Sequence, residues 1–363
     1  MFLKKFFVIM LLGGLFCPFF VFAQTAEDIF QAKVIEILQE QQIDRGDGTQ
    51  KIQQNLLLLG TEGFYKDKEV KYLGISEVDI AGSNIYKVGD KVLVQKIADF
   101  DDEERFFVMD YVRSGKLGFL SFLFVLIIAV IGGKKGWRAM LGLVVSFFII
   151  LKFILPQIIS GSNPLIVSLF GSFFILVAMI YITEGVNRKS NLGLVSVFIS
   201  LVATLFLSWL FVSLSKLTGL ASEEAVFLIG VGEKAIDFRG LLLAGMLIGA
   251  VGVLDDVVIG QIEAVKQIKA ANPNLPFWQV FEMGYEVGNT HLGAIVNTLF
   301  LTYAGASLPL LILFTLGQNE ALTFAQAINN EMVATEIIRT LTGSIGVALS
   351  MPIATFLGAK YLD

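Results

Sequence analysis

Cysteine, histidine and charge are all scarce in this chain, and each scarcity closes off some chemistry. The single cysteine, Cys17, lies inside an N-terminal hydrophobic stretch. A mature chain that begins later has no thiol, which excludes disulfides, thiolate ligands and a cysteine nucleophile. His291 is the sole histidine, so a zinc site built from several His and Cys ligands is out of reach within one subunit. No metal and no cofactor is expected. Charged residues make up 16% of the chain and hydrophobic residues 55%, whereas a soluble domain carries about 25% charged residues. The deficit is uneven. Residues 24–115 are rich in charge, and most of 117–363 is apolar. A chain divided between two solvents explains the average better than one unusual soluble core.

At the N-terminus, Lys4 and Lys5 precede an apolar run from Phe6 to Phe22, and Val21-Phe22-Ala23 leads into polar Gln24-Thr25. This is the order of a secretory signal peptide over residues 1–23, although a run this long also fits an uncleaved anchor helix. Bulky Phe16 before Cys17 argues against a lipoprotein signal. Residues 24–115 read as about five short strands. Ala32–Ile37 and Lys91–Lys96 alternate in polarity, Arg105–Tyr111 is β-rich, and glycines 46, 48, 60, 63 and 82 punctuate. A small β-barrel-like domain of OB type is expected. It holds 18 acidic and 11 basic residues, a balance that disfavours nucleic-acid binding. The same features also fit a solvated scaffold with no ligand of its own.

The rest, 116–363, reads as an α-helical polytopic membrane domain. A span needs about 20 mostly apolar residues, and about seven candidates lie near 117–133, 139–158, 163–183, 191–214, 239–260, 290–316 and 336–359. If the N-terminal domain is exported, the loops alternate sides. Lys134, Lys135 and Arg138, then Arg188 and Lys189, then Lys266 and Lys269 fall in cytoplasmic loops. The outer stretch 215–238 carries Glu223, Glu224, Glu233 and Asp237 against Lys216 and Lys234, and 317–335 carries Glu320 and Glu331 with no basic residue. The positive-inside rule is obeyed by every short loop, which places the N-terminal domain outside the cell membrane and the C-terminus in the cytoplasm.

Ionisable residues at membrane depth are functional candidates by default. Gly245, Gly249, Gly252, Asp256 and Gly260 share one face of the fifth span. Small residues on one face allow close helix approach, so Asp256 is expected on a packed face, with Asp255 turned about 100° away. The two aspartates also fit a pair that merely ends the span at the water interface. In the sixth span Asn289, Gly293 and Asn297 share a face, and His291, Thr298 and Thr302 share its neighbour. An amide in lipid needs a partner, so Asn297 is expected to bond to another helix; a structural clamp is the plain alternative. His291 could relay a proton or serve as a satisfied structural histidine. Glu336 and Arg339 open the seventh span and can pair at i, i+3, either as functional groups or as an interfacial pair that fixes helix depth.

Three stretches carry a resemblance. Gly249-Ala250-Val251-Gly252-Val253-Leu254-Asp255-Asp256-Val257, the segment Gly293 to Pro309 with Asn297-Thr298-Leu299, and Glu336-Ile337-Ile338-Arg339-Thr340-Leu341-Thr342-Gly343-Ser344-Ile345-Gly346 resemble the YibE/F-like family of multi-pass bacterial membrane proteins. The resemblance covers the seven-span region and the preceding β domain. It implies architecture and location, and it names no substrate or catalytic residue.

Two functions compete. The clustering of Asp256, His291, Asn297, Glu336 and Arg339 in the last three spans favours a transporter or channel subunit for a small solute or ion. The alternative is an envelope scaffold or sensor that binds a partner through the β domain; a homo-oligomer or an envelope protein partner is compatible with either reading. An enzyme is not expected. Gly132-Gly133-Lys134-Lys135-Gly136 lacks the spacing of a phosphate loop. The adjacent Asp255 and Asp256 do not fit a Gly-x-Gly-Asp setting, and no serine sits in a G-x-S-x-G turn. No catalytic residue is named, and the bilayer itself is the one partner every reading requires.

Overall fold

The computed structural model describes residues 29–44, 50–75, 84–98, 104–230, 235–315 and 324–362. The signal or anchor segment expected over 1–23 lies outside the described residues. The chain divides into two compact units, residues 1–127 and 128–363.

The first unit contains five strands: β1 (Ile29–Asp44), β2 (Gln50–Gly60), β3 (Glu69–Leu73), β4 (Lys91–Ala98) and β5 (Glu104–Tyr111). They close into a barrel in the order β1-β2-β3-β5-β4. β3 and β5 pair in parallel and every other pair is antiparallel. The alternation in the sequence becomes the wall of the barrel, because successive side chains on a strand point to opposite faces. Phe30, Ala32 and Val34 of β1, Leu56 and Leu58 of β2, and Val92 and Val94 of β4 all point inward and are buried. Tyr65 stacks on Phe30 with ring centroids 4.4 Å apart. On the wall, Lys96 Nζ donates to Glu104 Oε1 at 2.6 Å. That bond holds the Glu104 carboxyl below its ordinary pKa.

One buried polar residue fixes the entry to β4. Gln54 Oε1 accepts from the Tyr86 backbone N–H at 2.7 Å, and its Nε2 donates to Tyr86 O at 3.1 Å and to Glu40 Oε2 at 2.9 Å. A Gln54→Leu substitution strands the Tyr86 backbone groups in a dry site. We expect residues 24–115, expressed alone, to unfold cooperatively in urea, and this substitution to remove about 2–3 kcal/mol of that stability. An unchanged urea midpoint would show that water replaces the amide.

From Ser114 onward the described chain is helical. The helices are α1 (Ser114–Ile159), α2 (Pro164–Glu184), α3 (Arg188–Leu214), α4 (Glu223–Phe227), α5 (Phe238–Ala271), α6 (Phe277–Ala306), α7 (Leu308–Thr315), α8 (Phe324–Asn329) and α9 (Glu331–Tyr361). Side chains cap their starts. Asn163, Asn187, Asp237 and Asn330 each accept a backbone N–H of the first turn of α2, α3, α5 and α9, which satisfies donors that a helix start leaves free.

Among the described residues, five helices are long and apolar enough to cross a membrane: α1, α2, α3, α5 and α9. The expected spans 117–133 and 139–158 both fall in α1. Its backbone breaks at Gly133 (φ 51°, ψ −130°), a conformation closed to residues with a Cβ. Further on, residues 150–154 of α1 form a π-helical turn just before Pro156, which has no N–H to give the regular ladder. The expected sixth span, 290–316, is not one helix. α6 begins earlier and ends at Ala306, with α7 separate from it. Glu282, Glu286, Asn289, His291 and Asn297 make α6 too polar to count with the other five.

α9 lies against α3, α5 and α6, and α5 also packs on α2 and α3. The α3–α9 seam is built from small residues at every fourth position. Ser196, Ser200, Thr204 and Ser208 line α3, and Thr342, Gly346 and Ser350 line α9; all are buried. Ser208 Oγ donates across the seam to Thr342 Oγ1 at 3.0 Å. Thr204 and Ser200 return their hydroxyls to carbonyls one turn back in their own helix. Close backbone approach through small residues drives helix association where lipid offers no hydrophobic gain.

Candidate functional site

The site is the seam between α5, α6 and α9. The face of α5 that looks inward carries Leu243, Leu247, Ala250, Val251, Leu254, Val258, Ile262 and Val265. The stripe Gly245, Gly249, Gly252, Asp256 and Gly260 lies on one face, as its spacing requires, but that face is exposed. No atom lies within 4 Å of where a Cβ would stand at Gly245 or Gly252, and at Gly249 the nearest is Tyr303 Oη at 3.7 Å. The expected close packing on Gly245, Gly249 and Gly252 is therefore absent within one chain. Spacing groups residues on a face and does not say whether the face looks inward. The two aspartates are also exchanged relative to expectation: Asp256 is exposed, while Asp255 is half-buried with Oδ1 enclosed and unbonded.

Three cavities follow one another along this seam. At the Glu336 end, an open groove of about 310 Å³ is bordered by Phe300, Tyr303, Ser307, Glu336, Ile337 and Thr340. In the middle, a cavity of about 10 Å³ is bordered by Thr204, Ser208, Leu299, Tyr303, Arg339 and Thr342. That is room for about one water. At the Asp256 end, a pocket of about 200 Å³ is bordered by Asp256, Gln261, Gly288, His291, Ile295 and Met351. Tyr303 borders both the groove and the middle cavity. From Glu336 to Met351 the series runs about 22 Å along α9, at 1.5 Å per residue.

Glu336 and Arg339 form the expected ion pair, Oε1 to Nη1 at 3.1 Å. Arg339 Nε is buried with no partner. Asp256, His291, Glu336 and Arg339 thus all border the seam. Asn297 does not. It is exposed on α6 with Asn289 and Gly293, and it makes no hydrogen bond among the described residues. The expected cross-helix bond is missing because the contact stripe of α6 is Val280, Gly284, Gly288 and Leu299, a different face.

The sequence reading missed a charge cluster. Lys189 Nζ lies 2.5 Å from Glu184 Oε2 and 2.8 Å from Glu263 Oε2. Lys135 reaches Glu184 at 3.3 Å, and Gln267 Nε2 donates to Glu263 Oε1 at 2.7 Å. These groups come from four stretches of chain, and no local spacing announces them. Among the described residues, no group of three or more His, Cys, Asp or Glu side chains is placed to hold a metal ion.

Residues 120–363 match the YibE/F-like protein family. The chain belongs to the YibE/F-like family. The match begins after the barrel, whose strands end at Tyr111. No curated protein and no solved structure matches the chain. YibE/F-like membership and the five apolar helices together mark a membrane protein.

Proposed function

We propose that this YibE/F-like protein is a transport subunit that passes a small solute or ion along the α5–α6–α9 seam. The observation that carries the reading is the line of three cavities, with Glu336 at one end, Arg339 at the narrow middle, and Asp256 and His291 at the other end. Polar and ionisable groups that line a cavity at membrane depth mark solute pathways. The middle cavity is the narrow point, so the conformation is a closed one. The protein works without a catalytic residue or a cofactor. In this reading seven segments span the cell membrane, with α1 supplying two of them on either side of Gly133 and α6 supplying the sixth. The barrel is of OB type, a description its closed strand order supports, and it lies outside the membrane as an accessory. The C-terminus is cytoplasmic.

The pathway is tested by solute uptake and metabolite levels in deletion cells carrying the wild-type or the Asp256→Asn gene. We expect the variant to reach normal abundance and to fail to restore the wild-type profile. Full restoration would remove Asp256 from the pathway. The topology is tested by phosphatase fusions after Val112 and Asp363, with activity expected only from the first.

A second reading, an envelope scaffold acting through the barrel, is favoured by large apolar side chains exposed on its surface. Phe64, Leu73 and Val88 are 74%, 69% and 62% exposed. Capture of an envelope partner, or of a second copy, that needs only residues 24–115 would support it.

A further inference from the structure

The pocket at the Asp256 end contains a buried amide whose orientation is fixed by its neighbours. Gln261 is 6% exposed. Its Nε2 donates to the Gly284 carbonyl at 2.6 Å and to Thr355 Oγ1 at 2.7 Å. Thr355 has already committed its own hydroxyl hydrogen to the Met351 carbonyl at 2.8 Å. Both neighbours can therefore only accept, and Gln261 must turn its nitrogen toward them. Its oxygen is left facing the other way and accepts no hydrogen bond among the described residues. A Cβ added at Gly288, which borders the pocket, would stand 2.7 Å from that oxygen. An amide held in this orientation presents its acceptor oxygen, which favours a ligand that brings an N–H or O–H.

The rest of the pocket narrows the choice. Asp256 borders it and makes no ion pair or hydrogen bond among the described residues. Among those residues no lysine or arginine borders the pocket; Asp256 is its one carboxylate and His291 its one imidazole. Gly260 follows Asp256 by one turn and leaves the space beneath the carboxylate open. Val257, Leu292, Ile295 and Met351 give the pocket an apolar wall. A bare alkali cation is recognised by a ring of oxygens that replaces its water shell, and the three side-chain oxygens of Asp256 and Gln261 beside an apolar wall do not make one. A volume of about 200 Å³ is also generous for such an ion.

We propose that this pocket binds a small organic ammonium ion. Asp256 is its countercharge, Gln261 Oε1 accepts one of its N–H groups, and its apolar body lies on Val257, Leu292, Ile295 and Met351. The proposal deepens the transport reading and rests on the same seam.

The test uses the full chain in lipid nanodiscs with n-butylammonium as the probe, 1-butanol as its uncharged counterpart and potassium as the bare cation. We expect saturable n-butylammonium binding, none of 1-butanol, and no displacement by potassium at equal concentration. Asp256→Asn and Asp256→Ser should each weaken binding about ten- to a hundredfold, the range for losing a hydrogen bond to a charged partner. No binding by the wild type, or equal binding by both Asp256 variants, would overturn the site. Displacement by potassium at equal concentration would overturn the organic class of ligand. Flux is read separately in liposomes. Saturable binding with no flux supports the site and sinks the transport reading, whereas flux of another solute without n-butylammonium binding sinks the site alone.

Discussion

Lys189→Met should lower the melting temperature of the detergent-solubilised protein by roughly 6–12 °C, from a loss of about 3 kcal/mol. Lys189 is 10% exposed and sits between Glu184, 12% exposed, and Glu263, 37% exposed. Removing the ammonium leaves two carboxylates facing each other with one partner gone. Lys135 remains 3.3 Å from Glu184 but is 70% exposed, so water screens it and it substitutes poorly. Breaking a buried pair costs more than the pair contributes, because the surviving charge keeps its desolvation penalty. The partial exposure of Glu263 puts the expectation at the low end of that range. Two further variants separate charge from packing. Lys189→Arg keeps the charge and should hold most of the stability. Glu184→Gln combined with Lys189→Met should lose less than the two single losses added together. A Lys189→Met protein that melts at the wild-type temperature would show the cluster to be hydrated and of no consequence for folding.

Gly346→Leu should abolish accumulation of folded protein, while Gly245→Leu and Gly252→Leu should leave it near normal. A Cβ at position 346 runs into the Thr204 side chain across the α3–α9 seam, and nothing lies within 4 Å of the corresponding point at 245 or 252. Thr204 is 3% exposed and its hydroxyl is committed to Ser200 O, so it has nowhere to go. Forcing extra methylenes into a filled seam typically costs about 1–3 kcal/mol, and here two helices must separate to admit a whole leucine. The measurement is membrane abundance together with monodispersity in size-exclusion chromatography. The contrast between the three glycines decides which small-residue stripe holds the bundle together. Loss at 245 and 252 with tolerance at 346 would reverse the assignment made here.

The barrel strands were legible because a two-residue period maps directly onto an inside and an outside: Phe30, Ala32 and Val34 alternate in the sequence and in burial alike. The apolar helices were legible because a span needs only length and hydrophobicity, both local properties. α6 shows the limit of that rule. Its polar residues keep it out of the set of helices apolar enough to cross a membrane, and Ser307 divides it from α7 where the sequence suggested one span. The Glu336–Arg339 pair was legible for the same local reason, being three residues apart on one helix.

By itself, then, the sequence determined the membrane class, the five-strand domain, the family resemblance and the residues that share each helix face. The tertiary structure alone decided which face looks inward. Helical periodicity is unchanged when a helix turns about its own axis, so Gly249 and Gly346 read alike along the chain. Only the neighbouring helix distinguishes them. Thr204 closes on Gly346, while Gly249 meets little more than the Tyr303 hydroxyl at the edge of a cavity. The Lys189 cluster and the fixed amide of Gln261 follow the same logic. Lys189 and Glu263 are 74 residues apart, and Gln261 and Thr355 are 94. A contact across such distances depends on how the helices pack, and no spacing within one helix encodes it.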